Sequence, residues 1–310
     1  MFTSKRTSVV AALLASTLAL AACGSNGEGS GGEAEAGTIV VSGKEYTEQI
    51  IMTNLLAEYL DANTDLDVEV KGALGGVFVL QEAMLKGDID AYVEYTGTGY
   101  LNVLDEEYEP GFDPDELFEE TREGYLDEFN INWLQPLGFN NTYALTMRTD
   151  QAEELGIETA SDLVDHADDL LFGSDAEFFE RGDGYDALLD AYGYDFKDTV
   201  TIDPDLMYSA LKDSEMDVIT GYTTDPRIPE YDLKPLVDDL NFFPPYHAAV
   251  IIRQEVLDAN PGLEDTINEL SESGVFTDES VSELNGRVST DGERESDVAI
   301  EFLKEHDLID

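Results

Sequence analysis

The sequence predicts an α/β protein, and three observations carry that expectation. Short β-rich runs alternate with stretches of helical period, the alternation comes as two successive sets, and the segment after residue 260 is helical in pattern. In the first set, the β-branched run at 38–42 reads as a strand, an amphipathic helix follows over 48–60, and a strand at 66–70 completes a β-α-β unit. A helix over 79–86, a strand at 89–93, an acidic helix over 114–129 and a strand at 131–134 continue it. The second set places strands at 143–148, 170–173, 199–202 and 217–220, separated by helices such as 176–181 and 204–212. The tail over 260–310 is expected to pack back on the body as helices. Its capping signals are Thr277 and the Thr290 to Glu293 stretch, and its apolar stripe runs through Val298, Ile300, Phe302 and Leu303. No internal repeat is present.

Residues 1–22 have the form of a secretory leader: Lys5 and Arg6, an apolar run from Val9 to Leu20, then Ala21 and Ala22 before Cys23. That run is too short for a bilayer core, which takes about 20 apolar residues. Small residues directly before a cysteine resemble the bacterial lipobox, so Cys23 is the expected lipidation site and new N-terminus. As the sole cysteine it excludes an intramolecular disulfide and a cysteine metal cluster. Residues 23–37 are rich in Gly, Ser and Glu and read as a flexible tether. The expected location is therefore extracytoplasmic, at the cell membrane through Cys23.

Sixteen basic and 69 acidic residues give a formal charge of −53, which argues against nucleic acid as a partner. The acid is spread along a chain that is 42% apolar, so the composition is that of an acidic globular protein and not a disordered one. Self-repulsion of this size is largely screened in about 1 M salt, where the Debye length is roughly 3 Å. A halophilic source is the resulting expectation.

Enzyme signatures are missing: there is no G-x-S-x-G, P-loop, H-E-x-x-H or strand-associated G-x-G-x-x-G. His166, His247 and His306 are scattered, and the acidic loop over 105–116 departs from the EF-hand spacing, so neither a metal nor another cofactor is expected. Arg181, Gly182 and Asp183 form an adhesion-like tripeptide best explained by chance. A hydrolase using Asp90 and Glu94 as acid and base has little support in so acidic a chain.

Four tyrosines sit in small or turn-forming contexts: Tyr95 in Glu94-Tyr-Thr-Gly-Thr98, Tyr143 after Asn140-Asn-Thr, Tyr222 in Gly221-Tyr-Thr-Thr-Asp225, and Tyr246 after Phe243-Pro-Pro. Strand ends and turns are where binding sites concentrate. Together with Ser42-Gly-Lys-Glu-Tyr-Thr-Glu-Gln49, Leu74-Gly-Gly76, Gly87-Asp-Ile-Asp90, Gly138 to Leu145, Phe179-Glu-Arg181 and the stretch from Asp238 to Tyr246, these contexts resemble the substrate-binding proteins of osmoprotectant ABC importers, the glycine betaine, choline and carnitine binders. The resemblance spans about Ile39 to Leu308. It implies a two-lobed type II periplasmic-binding-protein fold with a ligand cleft between lobes, lobe I formed by 38–141 with 247–310 and lobe II by 142–246.

The resemblance also implies a cage made by Tyr95, Tyr143, Tyr222 and Tyr246, a carboxylate clamp made by Lys44, Thr98 and Arg181, and a contribution from Asn141 at the crossing between lobes. A trimethylammonium group carries charge but no N–H, so aromatic faces are the fitting partner, and charge-assisted donors suit a betaine's carboxylate. The implied function is capture of a quaternary-ammonium solute, glycine betaine first, by a monomeric receptor that delivers it to an ABC permease driven by a separate ATPase. Choline, carnitine or another betaine remain open as cargo, as does a ligand-sensing lipoprotein uncoupled from transport. Val77 and Phe78 after Leu74-Gly75-Gly76, and His247 after Tyr246, depart from the residues common in that family and bear on specificity.

Overall fold

The computed structural model describes residues 37–108, 111–182 and 184–310. The leader, Cys23 and most of the tether lie outside the described residues, as does Asp183. Ten strands are present among the described residues: β1 (Thr38–Val41), β2 (Asp67–Val70), β3 (Ala91–Tyr95), β4 (Ile131–Asn140), β5 (Tyr143–Arg148), β6 (Leu171–Ser174), β7 (Asp198–Thr201), β8 (Val218–Tyr222), β9 (Leu233–Pro235) and β10 (His247–Arg253). They form two five-stranded sheets, ordered β2-β1-β3-β10-β4 and β7-β6-β8-β5-β9. Each sheet has parallel pairs on one side, made by β-α-β crossovers, and antiparallel pairs on the other. With helices packed on the sheets this is a two-lobed α/β architecture. The chain leaves the first sheet after Asn140 and returns to it at His247.

Several helices begin where local chemistry dictates. Asp113 and Asp203 cap Pro114–Phe129 and Pro204–Lys212 by accepting from first-turn N–H groups, with proline at the position where the missing N–H costs nothing. Thr277 forms a reciprocal capping box with Ser280 at the start of Asp278–Ser289.

Four expectations need correction. The helix Thr47–Asn63 is not amphipathic: it buries ten of its residues, including Glu48, Gln49 and Thr53, because it lies between the first sheet and the terminal helices Asp278–Ser289 and Glu295–Glu305. Thr290 does not cap the last helix. It ends Asp278–Ser289, its hydroxyl donates to Glu230, and the last helix starts after Arg294. The last helix buries Val298, Ala299, Phe302 and Leu303, leaving Ile300 half-buried off that stripe. The strand starting at Ile131 runs on through Pro136 and Gly138 to Asn140, because β4 is the sheet's edge and its register with β10 shifts there.

Candidate ligand-binding site

A cavity of about 560 Å³ opens between the two lobes, and all eight candidate site residues line it: Lys44, Tyr95, Thr98, Asn141, Tyr143, Arg181, Tyr222 and Tyr246. Strand ends set the positions of the tyrosines. Tyr143 begins β5, Tyr222 ends β8, and the two are direct cross-strand partners, so the period of two places both rings on one face. Their centroids are 5.2 Å apart. Tyr246 meets Tyr143 edge-on at 5.6 Å and 88°. The chain segments that cross between sheets are tied together: Asn141 N donates to Tyr246 O at 3.1 Å, and Tyr246 N to Asn140 Oδ1 at 2.7 Å. Gly97 lets the β3 end approach this point, with Gly97 N donating to Pro245 O at 3.0 Å.

Arg181, 5% exposed, reaches across the cleft. Its Nη1 donates to Thr98 Oγ1 at 3.1 Å and to Glu177 Oε1 at 3.3 Å, its Nη2 to Tyr246 Oη at 3.4 Å, and its Cζ stands 5.4 Å from the Tyr143 centroid. A guanidinium thus sits beside the aromatic walls. Lys44 is placed differently. Its Nζ lies 2.7 Å from Glu94 Oε1 and 5.2 Å from the Tyr95 centroid, so its charge is neutralised within the wall. Glu94 is fully buried and also accepts from Tyr92 Oη at 3.0 Å and from Tyr95 N at 2.8 Å. Asp90 pairs with Arg253 at 2.9 Å. The two carboxylates weighed for a hydrolase are both committed to buried ion pairs.

Sequence reasoning missed several lining groups. Tyr46 stacks on Tyr222 at 5.6 Å and 12°, within the Ser42 to Gln49 segment that carried part of the resemblance. Asp175 accepts from Phe178 N at 2.9 Å and from Tyr222 Oη at 3.0 Å. Burial pushes its carboxyl above the usual aspartate range, and the Phe178 N–H bond opposes the shift. Burial likewise raises Tyr46, Tyr95 and Tyr222 well above the ordinary phenol value, so these hydroxyls stay protonated and their rings neutral. Glu45, Glu177, Glu180 and Asp203 add carboxylates to the lining, favouring cations at the mouth. Phe78 and Val79, each about half exposed, form its apolar lip. His247 opens β10, and burial lowers its pKa below the usual histidine range.

Among the described residues no group of three or more His, Cys, Asp or Glu side chains is placed to hold a metal ion, and no helix is long and apolar enough to cross a membrane. The arrangement is suited to binding: aromatic faces, one guanidinium and buried acceptors converge on a cavity, and Asp90 and Glu94 are engaged in ion pairs.

Comparison with known proteins agrees with that chemistry. Residues 37–305 match the family described as the substrate binding domain of ABC-type glycine betaine transport systems. The chain is 37% identical to the carnitine transport binding protein of Listeria monocytogenes over 300 residues, covering 96% of this chain and 95% of that one. It is 35% identical to the glycine-betaine-binding protein of Pseudomonas aeruginosa, covering 90% and 91%. A crystal structure titled as a glycine betaine/carnitine/choline ABC transporter superposes with a TM-score of 0.71 at 33% identity, over 88% of this chain and all of that one. The chain belongs to the family of substrate-binding proteins of ABC-type glycine betaine importers, two-lobed binding proteins and not enzymes.

Proposed function

We propose that this receptor captures a quaternary-ammonium compatible solute, glycine betaine first, in a cage formed by Tyr95, Tyr143, Tyr222 and Tyr246, and passes it to an ABC permease with a separate ATPase. The observation that carries the reading is the convergence of Tyr143, Tyr222 and Tyr246 on one cavity with Arg181 beside them. Each desolvated face contributes about 0.5–2 kcal/mol to a cation that has no N–H to offer. Arg181 and Thr98 are the donors for the carboxylate; Lys44, paired to Glu94, supports the wall, and Asn141 stands at the hinge. The lobes are 38–141 with 247–310, and 142–246, and they close over the ligand as a population shift. Lipidation at Cys23 holds a monomeric receptor at the outer face of the cell membrane, with residues 24–37 as tether. The charge of −53 suits a halophilic setting.

Calorimetric titration of the purified chain in molar salt with glycine betaine, carnitine, choline and a neutral amino acid tests the cargo. Arg181→Ala removes a charge-assisted donor worth about 1.5–3 kcal/mol, so betaine binding weakens roughly 10- to 150-fold while choline, which has no carboxylate, changes far less. Equal losses remove Arg181 from the clamp. Binding of the neutral amino acid alone overturns the cage. Cys23→Ala releases the chain from membranes, and retention of the variant there refutes the anchor.

A further inference from the structure

One buried carboxylate outside the candidate set gathers four segments of the chain. Glu48, in the first turn of helix Thr47–Asn63, is 3% exposed. Its Oε1 accepts from Tyr95 Oη at 2.5 Å and from Asn141 Nδ2 at 2.8 Å. Its Oε2 accepts from Thr224 Oγ1 at 2.6 Å and from Asn285 Nδ2 at 2.9 Å. Tyr95 ends β3 and lines the cavity, Asn141 lies in the crossing between sheets, Thr224 follows β8 of the second sheet, and Asn285 lies on helix Asp278–Ser289. We propose that Glu48 is the positioning residue of this receptor: it fixes the Tyr95 ring in the cavity wall and ties that wall across the hinge to the second lobe, setting how tightly the lobes hold together around a ligand.

The chemistry of the group supports the assignment. All four donors are neutral, and none of the described Lys, Arg or His side chains forms an ion pair with Glu48. Four converging donors require an acceptor-only group with about four lone-pair sites, which a carboxylate supplies and an amide does not. A negative charge in a helix's first turn is favourable in its own right. That local role does not explain bonds to residues 47, 93, 176 and 237 positions away. Asn141 and Asn285 each turn the amide NH₂ to Glu48 and leave the carbonyl oxygen buried without a donor in the described chain. A buried unpartnered carbonyl costs free energy, so these two groups favour separation while the Glu48 bonds oppose it. The tie is thereby balanced and not simply strong. Because Tyr95 and Thr224 bond to the same carboxylate from opposite lobes, a cation pressing on the Tyr95 face is sensed by the second lobe through one side chain.

The inference rests on the cleft being the ligand site, and its test separates the two claims. The full chain and its Glu48→Gln, Thr224→Val and Asn285→Leu variants are compared by glycine betaine calorimetry, by thermal unfolding and by hydrogen exchange at residues 139–144 and 221–226 without ligand. Glu48→Gln turns one acceptor into a donor facing two donors. The expected result is a roughly tenfold or greater loss of affinity, with faster exchange at both hinge-side segments. The single-donor variants show smaller losses, and Thr224→Val costs less in the Glu48→Gln background than in the wild type. A merely structural Glu48 would lower the melting temperature and leave the affinity of the folded fraction and the coupling between Glu48 and Thr224 unchanged; that result overturns the proposal. If Glu48→Gln does not fold, Thr224→Val and Asn285→Leu decide it: unchanged affinity and unchanged exchange in both overturn the tie. A wild-type chain that binds no quaternary-ammonium solute overturns the proposed cargo instead, and the exchange data still test Glu48.

Discussion

Replacing Gly97 by alanine probes how the aromatic wall is held. A Cβ at this position would lie 2.8 Å from Tyr246 Cε1, 2.9 Å from Pro244 Cγ and 2.9 Å from Pro245 O. Carbon atoms pack best at about 3.5–4.0 Å, so the Tyr246 ring must retreat by roughly 0.7–1.2 Å. The backbone resists: Pro245 O accepts from Gly97 N at 3.0 Å and from Thr96 Oγ1 at 2.9 Å, and Tyr246 N donates to Asn140 Oδ1 at 2.7 Å. Overpacking costs about 1–3 kcal/mol, and escape by breaking one of those bonds costs about 1 kcal/mol on its own. At about 2–4 °C per kcal/mol for a chain of this size, the melting temperature falls by roughly 2–12 °C. A displaced Tyr246 also forfeits its face of the proposed cage, about 0.5–2 kcal/mol, or roughly a 2- to 30-fold weaker affinity for the proposed cargo, glycine betaine. Scanning calorimetry and titration calorimetry in molar salt read the two effects. A Gly97→Ala variant that melts and binds like the wild type would falsify the reasoning.

Three further outcomes follow from the same geometry. Glu94→Gln strands Lys44 in a buried site without its counter-charge and should destabilise the chain by about 3–5 kcal/mol, whereas Lys44→Met with Glu94→Gln recovers most of that; equal melting temperatures for the single and double variants would contradict it. Asp175 titrates above its unfolded value, so as a folded carboxylate it costs stability above that raised pKa, and the cost is relieved as pH falls toward the unfolded value near 3.8. Asp175→Asn should therefore be more stable than wild type at neutral pH, with the gap closing as pH drops toward 4 in chemical denaturation; a gap that stays constant refutes the assignment. With a formal charge of −53, the unfolding midpoint should climb between dilute buffer and molar potassium chloride, and a flat profile would remove the halophilic reading.

What the sequence disclosed depended on whether local pattern or distant packing decided the outcome. Pro114–Phe129, Tyr143–Arg148 and Pro204–Lys212 were legible to the residue, two of them because an Asp-Pro pair both caps and starts a helix. The apolar run in His247–Arg253 was not recognised as a strand, although a continuous buried run is the pattern of a central strand, and β10 lies between β3 and β4. Helix Thr47–Asn63 misled because polar residues on it face the protein: Glu48 and Gln49 are buried by partners that come from far along the chain. The eight candidate site residues do line one cavity, and it was the ordered set of family-like segments, not local spacing alone, that singled them out. Tyr46 escaped because its place against Tyr222 depends on how close the lobes come, and Asp175 and Glu177 because their partners Tyr222 and Arg181 are set by the packing of the second sheet and its helices, which no local spacing encodes.

The pairing of Tyr143 with Tyr222 has a consequence for how such a receptor can change its diet. These rings are facing rungs of the β5/β8 ladder, so a one-residue slip of either strand would turn its tyrosine away from the cavity together with every core side chain of that strand. An insertion or deletion within either strand therefore cannot part the two rings without unmaking the sheet, and only substitution at Tyr143 or Tyr222 themselves takes them out of the cavity wall. Positions outside the ladder, such as Phe78 and Val79 on the lip and Ile202 in the lining, are free of that constraint, and substitution there reshapes the cavity while the paired rings keep their places.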